Sequence, residues 1–81
     1  MITNQELNVR VKYLNRILKR DDTNEIFIDK YQPGGAKYVY KLTEISGLGQ
    51  SDWTNYRLTK SEFYAYLNGI IDGLERIKNV N

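Results

Sequence analysis

The sequence predicts an α+β fold: a single-domain, two-layer α-β-β-β-α sandwich, with a three-stranded antiparallel sheet and two helices on one of its faces. Three observations predict it. Apolar residues recur at spacings of four and three near each end of the chain, and the middle alternates apolar with polar residues. Stretches bearing proline and glycine punctuate that middle. A chain of 81 residues holds one core, so residues 1–81 read as one domain.

The first helix is expected over roughly residues 4–20. Thr3 and Glu6 have capping-box spacing, in which a hydroxyl and a carboxylate each take an orphan amide. Leu7, Val11, Leu14 and Leu18 then fall on one face, widened by Ile17. Arg20 followed by Asp21-Asp22-Thr23-Asn24 marks the exit, with cations where the helix dipole favours them.

Three strand-like stretches follow. Residues 25–31 are short and rich in β-branched and aromatic side chains, and Gln32-Pro33-Gly34-Gly35 is a strong turn signal. Residues 37–45 place Tyr38, Tyr40 and Leu42 on one face and Lys37, Lys41 and Thr43 on the other. Residues 46–52 carry two glycines and read as a loop. Residues 53–58 are the expected third strand, with Tyr56 and Leu58 opposite Trp53, Asn55 and Arg57.

The last helix opens on a second capping-box pair, Thr59 and Glu62, and carries the stripe Phe63, Leu67, Ile70, Leu74 and Ile77. Gly69 and Gly73 lie inside it, each at a cost of about 1 kcal/mol relative to alanine. With Tyr66 they predict a groove into which the first helix or the sheet packs, a homodimer being its other use. The expected core is Leu14, Leu18, Ile28, Leu42, Leu58, Phe63, Leu67, Ile70 and Leu74.

Composition narrows function. The chain has no cysteine and no histidine, which removes disulfides, thiolate chemistry and the commonest general base and metal ligand. No apolar run approaches the length of a membrane span or the core of a signal peptide, so a cytoplasmic protein without membrane contact is expected. The Asp, Glu, Lys and Tyr residues form no recognised catalytic arrangement. Gly47-Leu48-Gly49-Gln50 lacks the context of a phosphate loop, and Asp21, Asp22 and Glu25 do not match a calcium loop. The expectation is no enzyme, no metal and no cofactor.

Two surfaces are candidates for binding. The net charge is +2, yet residues 1–20 alone hold five cations against Glu6, so the positive charge belongs to the first helix. Lys12, Arg16, Lys19 and Arg20 fall close to one face there and suit phosphates or an acidic protein. Seven tyrosines are the unusual part of the composition. Tyr38, Tyr40, Trp53 and Arg57 fall on predicted strands, where an aromatic sheet face can anchor a protein or stack bases.

The order α-β-β-β-α resembles the double-stranded-RNA-binding domain, which grips RNA with its first helix, the turn between its first two strands and the start of its last helix. The matching places are the first helix, Gln32 to Lys37, and Thr59-Lys60-Ser61. That family's lysine cluster and histidine-bearing turn are missing, so the likeness is one of topology.

A second resemblance covers nearly the whole chain. Glu6-Leu7-Asn8-Val9-Arg10-Val11-Lys12-Tyr13-Leu14-Asn15 looks like the opening of small proteins encoded by phages and prophages of Gram-positive bacteria. Gly34-Gly35-Ala36-Lys37-Tyr38 resembles their glycine-rich turn before an aromatic strand. Arg57, Lys60, Glu62, Tyr66, Gly69 and Gly73 match their final helix. This resemblance implies a phage-related origin, gives no function of its own, and fits a small intracellular protein that acts by binding. With the absence of a catalytic arrangement, the expectation is a non-enzymatic accessory protein in the bacterial host cell that binds a host or phage protein, inhibition of host or defence machinery being one form of that. The alternative is nucleic-acid binding through the basic face of the first helix.

Overall fold

Helix α1 (Asn4–Ile17) and helix α2 (Lys60–Val80) bracket strands β1 (Ile26–Tyr31), β2 (Val39–Ser46) and β3 (Gly49–Asp52) in a computed structural model. It describes residues 2–20, 24–35, 37–47, 49–54 and 57–80, the last three as backbone only. The strands lie in chain order in one antiparallel sheet, as the alternating pattern and short turns predict.

The Thr3 hydroxyl starts α1 by accepting from the Glu6 amide at 3.1 Å, and the helix buries Leu7, Val11 and Leu14. It stops at Ile17 and not at residue 20. Lys19 adopts φ +55°, and the amides of Lys19 and Arg20 fold back onto the carbonyls of Arg16 and Asn15 at 3.1 and 2.8 Å. This double bond pattern is a Schellman cap, with lysine in the left-handed position that glycine usually fills. Lys19 and Arg20 therefore lie outside the helix. Asp21, Asp22 and Thr23 of the expected exit lie outside the described residues.

β1 and β2 pair in the register Ile28↔Leu42, with Ile26, Ile28, Tyr40 and Leu42 turned toward the helices. The Ile45 amide donates to the Glu25 carbonyl at 2.9 Å. By alternation, the main-chain groups of Phe27, Asp29 and Tyr31 face β2, while those of Ile26, Ile28 and Lys30 face the outer edge. Asn15 closes that edge at its first position. Its Oδ1 accepts from the Ile26 amide at 2.8 Å, and its Nδ2 donates to the Ile26 carbonyl at 2.9 Å.

The third strand differs from expectation. β3 is Gly49–Asp52, inside the stretch expected as a loop, and Ser46 pairs with Gly49 across the turn that Gly47 opens. Gly47 takes φ +59°, the backbone such turns demand and the feature that sets this register. Within the predicted strand 53–58, the Trp53 amide donates to the Leu42 carbonyl at 2.7 Å. Leu58 exchanges two 2.7 Å bonds with Tyr40. Asn55 and Tyr56 lie outside the described residues.

α2 begins with the full capping box: the Glu62 carboxylate accepts from the Thr59 amide at 2.9 Å, and the Thr59 hydroxyl accepts from the Glu62 amide at 3.3 Å. Its buried seam is Phe63, Leu67 and Ile71, not the predicted run through Ile77. Ile70 and Leu74 are half-buried and Ile77 is 63% exposed. At 21 residues α2 is about 30 Å long against about 20 Å for the 14-residue α1, so its last turns outrun their cover.

Leu14, Leu42, Leu58, Phe63 and Leu67 are buried as expected, joined by Leu7, Val11, Ile26, Tyr40 and Ile71, while Leu18 and Ile28 are half-buried. Tyr40 and Phe63 stack at 5.6 Å. Arg10 reaches Tyr64 and Tyr13 reaches Glu75, so α1 and α2 run in the same direction.

Candidate functional site

The sequence-predicted binding residues do not form one surface. Lys12 and Arg16 are exposed on α1 and Lys19 is exposed beyond it. Arg20, off the helix, pairs with Glu44 of β2 at 3.1 Å. The four-cation stripe is thus reduced to Lys12 and Arg16 on the helix, because the Schellman turn carries the other two away.

The aromatic candidates separate as well. Tyr40 is core, its hydroxyl donating to Asn4 Oδ1 at 3.3 Å. Trp53 is half-buried and its carbonyl accepts from the Tyr66 hydroxyl at 3.2 Å. That burial raises the Tyr66 hydroxyl pKa above its ordinary value. Arg57 is spent on β1: Nη1 and Nη2 donate to the carbonyl and Oδ2 of Asp29 at 3.0 and 2.9 Å, and the guanidinium covers the Tyr31 ring. Of that set only Tyr38 remains exposed.

The sheet face away from the helices is closed on itself. Asp52 takes Lys41 at 3.1 Å and the Thr43 hydroxyl at 3.2 Å, and the Lys41 bond foremost holds its carboxyl below the usual carboxylate range. With the Arg57–Asp29 pair beside it, Lys41 and Arg57 on this face are each matched by a carboxylate.

The expected packing groove at Tyr66, Gly69 and Gly73 is not filled. A Cβ at either glycine would meet nothing within 4 Å among the described residues, and both positions are exposed. The helix turns them to solvent because its seam runs through Phe63, Leu67 and Ile71.

What the fold does bring together lies at one end of the sandwich, where the start of α1, the β1–β2 turn and the start of α2 converge. One groove of about 560 Å³ is lined by Ile2, Lys37, Tyr38, Val39 and Tyr40 on one side and Thr59, Lys60 and Ser61 on the other. A smaller one of about 120 Å³ lies between α1 and β1, lined by Asn4, Leu7, Asn8, Ile28, Lys30 and Tyr40. Tyr40 is common to both, and the Lys30 ammonium sits 4.6 Å from the centre of the Tyr38 ring, bridging the two.

This end carries positive charge unpaired among the described residues, as the exposed Lys12, Arg16 and Lys19 also do. Among the described residues the ion pairs are Arg20–Glu44, Lys41–Asp52 and Arg57–Asp29, so Lys30, Lys37 and Lys60 have no carboxylate partner. The acid nearest Lys60 in sequence, Glu62, is held by the Thr59 amide and hydroxyl, which lower its pKa, and Asp29 beside Lys30 is paired with Arg57. The N-terminal dipole of α2 adds to the positive field. The two lysines that line the larger groove, Lys37 and Lys60, fall in the places matched to the RNA-binding topology. Lys30 was missed, because its alternation marks only a strand and its neighbours across space are invisible in one dimension.

A third concavity, about 470 Å³, separates the two helices and includes Glu6, Val9, Arg10 and Tyr64. Arg10 is held there by Tyr64, through a 2.8 Å hydrogen bond and a 4.9 Å cation–π contact. No helix among the described residues is long and apolar enough to cross a membrane. Comparisons of the chain with protein-family models, curated proteins and solved structures find no match.

Proposed function

We propose that this is a non-enzymatic binding domain, an accessory protein of phage or prophage origin, that takes an acidic and apolar segment of a host or phage protein at the basic end of its sandwich. One observation carries this reading: Lys30, Lys37 and Lys60, without carboxylate partners among the described residues, rim two grooves floored by Leu7, Ile28, Val39 and Tyr40. An apolar floor with a charged rim is the composition of a protein-recognition patch, where the floor supplies affinity and the rim steers encounter. Blocking a host or defence protein is a role that suits a small domain with such a surface.

Nucleic-acid binding is the second reading, favoured by the meeting of the β1–β2 turn with the start of α2 in one groove. Protein is preferred because three lysines are few for a polyanion at cellular salt and because Lys30 already occupies one face of the Tyr38 ring. Affinity capture from infected or lysogenic cells, with and without nuclease, separates the two. A protein retained after nuclease by the parent, and lost with Lys37→Glu plus Lys60→Glu, is the expected result. Loss of every partner on nuclease treatment, with binding that weakens steeply as salt rises, would establish the second reading instead.

A further inference from the structure

We propose that the acidic segment binds by strand addition, pairing its main chain with the outer edge of β1 at Ile28 and Lys30. This rests on the reading of the basic end as a protein-binding site and specifies how that site is used. The alternation of β1 turns the N–H and C=O groups of Ile26, Ile28 and Lys30 away from β2. Asn15 takes both groups of Ile26. Among the described residues none pairs with the edge groups of Ile28 and Lys30, so two donors and two acceptors stand in line.

The side chains beside this edge define the occupant. Ile28 and Lys30 face the helix side and line the 120 Å³ cavity with Asn4, Leu7 and Asn8. A strand laid along the edge directs every second side chain to that side. One of these, opposite Ile28, meets the cavity whose apolar lining is Leu7, Ile28 and Tyr40, and the next in that row, opposite Lys30, meets the ammonium. The segment is therefore an extended one with an aliphatic residue and an acidic residue two positions apart.

A second copy of the chain does not fit. With Ile26 closed by Asn15, a two-fold pairing of two β1 edges that matches Ile28 of each to Lys30 of the other centres on Asp29. It sets the two Asp29 carboxylates across from each other, and a pairing centred on Lys30 opposes the two lysines. Like charges in that position oppose pairing. An acidic partner strand avoids this on the helix side, where Lys30 stands, and leaves Asp29 to its own Arg57.

The test uses the full chain and a surface-displayed library of random ten-residue peptides as the probe. Selected peptides are expected to carry the aliphatic–x–acidic pattern, and saturation with one should slow hydrogen exchange at the Ile28 and Lys30 amides at least tenfold. Lys30→Pro removes an edge N–H that the β1–β2 ladder does not use, so the domain should fold and the peptide should bind at least tenfold more weakly. Should that variant fail to fold, Lys30→Glu supplies the same comparison through charge. Peptides that depend on Lys37 and Lys60 yet leave both amides exchanging at the free rate would overturn strand addition while leaving the basic-end reading intact. Slowed amides with binding indifferent to Lys37→Glu and Lys60→Glu would support the edge and overturn that end as the site. Edge protection that appears without peptide and grows with protein concentration would identify a second copy as the occupant and refute the proposal.

Discussion

Asn15 is the side chain whose removal tests the fold most directly. It makes three hydrogen bonds, to the Val11 carbonyl at 3.1 Å and to the carbonyl and amide of Ile26 at 2.9 and 2.8 Å. Ile26 is fully buried, so water does not replace these partners unless the strand end opens. Asn15→Ala strands one buried donor and one buried acceptor, each costing about 1–3 kcal/mol. Alanine returns up to about 0.7 kcal/mol of helix propensity. The net loss is therefore about 1–6 kcal/mol against a total of roughly 4–12 kcal/mol for a domain of this size. Urea titration should show the midpoint falling by that loss divided by the usual slope of about 1–3 kcal/mol per M, roughly 1 M for a loss of about 2 kcal/mol at a slope of about 2 kcal/mol per M. Hydrogen exchange at the Ile26 amide should accelerate in parallel. Asn15→Asp keeps the acceptor but turns a carboxylate oxygen toward the Ile26 carbonyl, and should not rescue. An unfolding free energy unchanged within about 0.5 kcal/mol, with Ile26 still protected, would show that the clamp contributes nothing.

Gly69→Ala and Gly73→Ala should each stabilise by about 1 kcal/mol, seen as a melting rise of about 4–8 °C, because open space surrounds both positions; a fall at either would reveal a neighbour in solution. Lys19→Gly relieves about 1–2 kcal/mol of left-handed backbone strain against about 0.5–1 kcal/mol of added chain entropy, so thermal melts should show a small net gain; a loss would mean the cap is not formed. Leu67→Ala empties a fully buried site and should cost about 2–5 kcal/mol in a denaturant titration, a melt near the parent's being incompatible with the core described. Glu62 has its folded pKa depressed by the Thr59 amide and hydroxyl, so its contribution is present above the unfolded pKa and lost as pH falls through the folded value. Stability measured from neutral pH downward should lose that acid-limb component in Glu62→Gln, and identical acid limbs would contradict the capping role.

Periodicity carried the architecture. The spacing of Leu7, Val11 and Leu14 and of Phe63 and Leu67, with two capping pairs, is a local code that survives in one dimension. The third strand was not legible, because Gly49-Gln50-Ser51-Asp52 has neither β-branched residues nor alternation; its place is set by the positive φ of Gly47 and by pairing to Ser46 through Thr43. The helix end was misplaced because a lysine fills the glycine position of the cap. The candidate cations failed for a related reason: Arg20 and Arg57 spend their charge on Glu44 and Asp29, partners 24 and 28 residues away. Lys30, Lys37 and Lys60 stand out only once the turn and the two helix starts share one end.

The parallel course of the two helices has a practical side. Ile2 and the first turn of α2 both border the larger groove, whereas the far end of α2 lies about 30 Å away along its axis. A bulky fusion attached ahead of Ile2 would stand at the mouth of the groove and shield whatever docks there. The same fusion placed after residue 81 would hang from the opposite pole and leave the mouth open. Immobilisation through one terminus or the other thus amounts to a steric switch on a single face of the molecule.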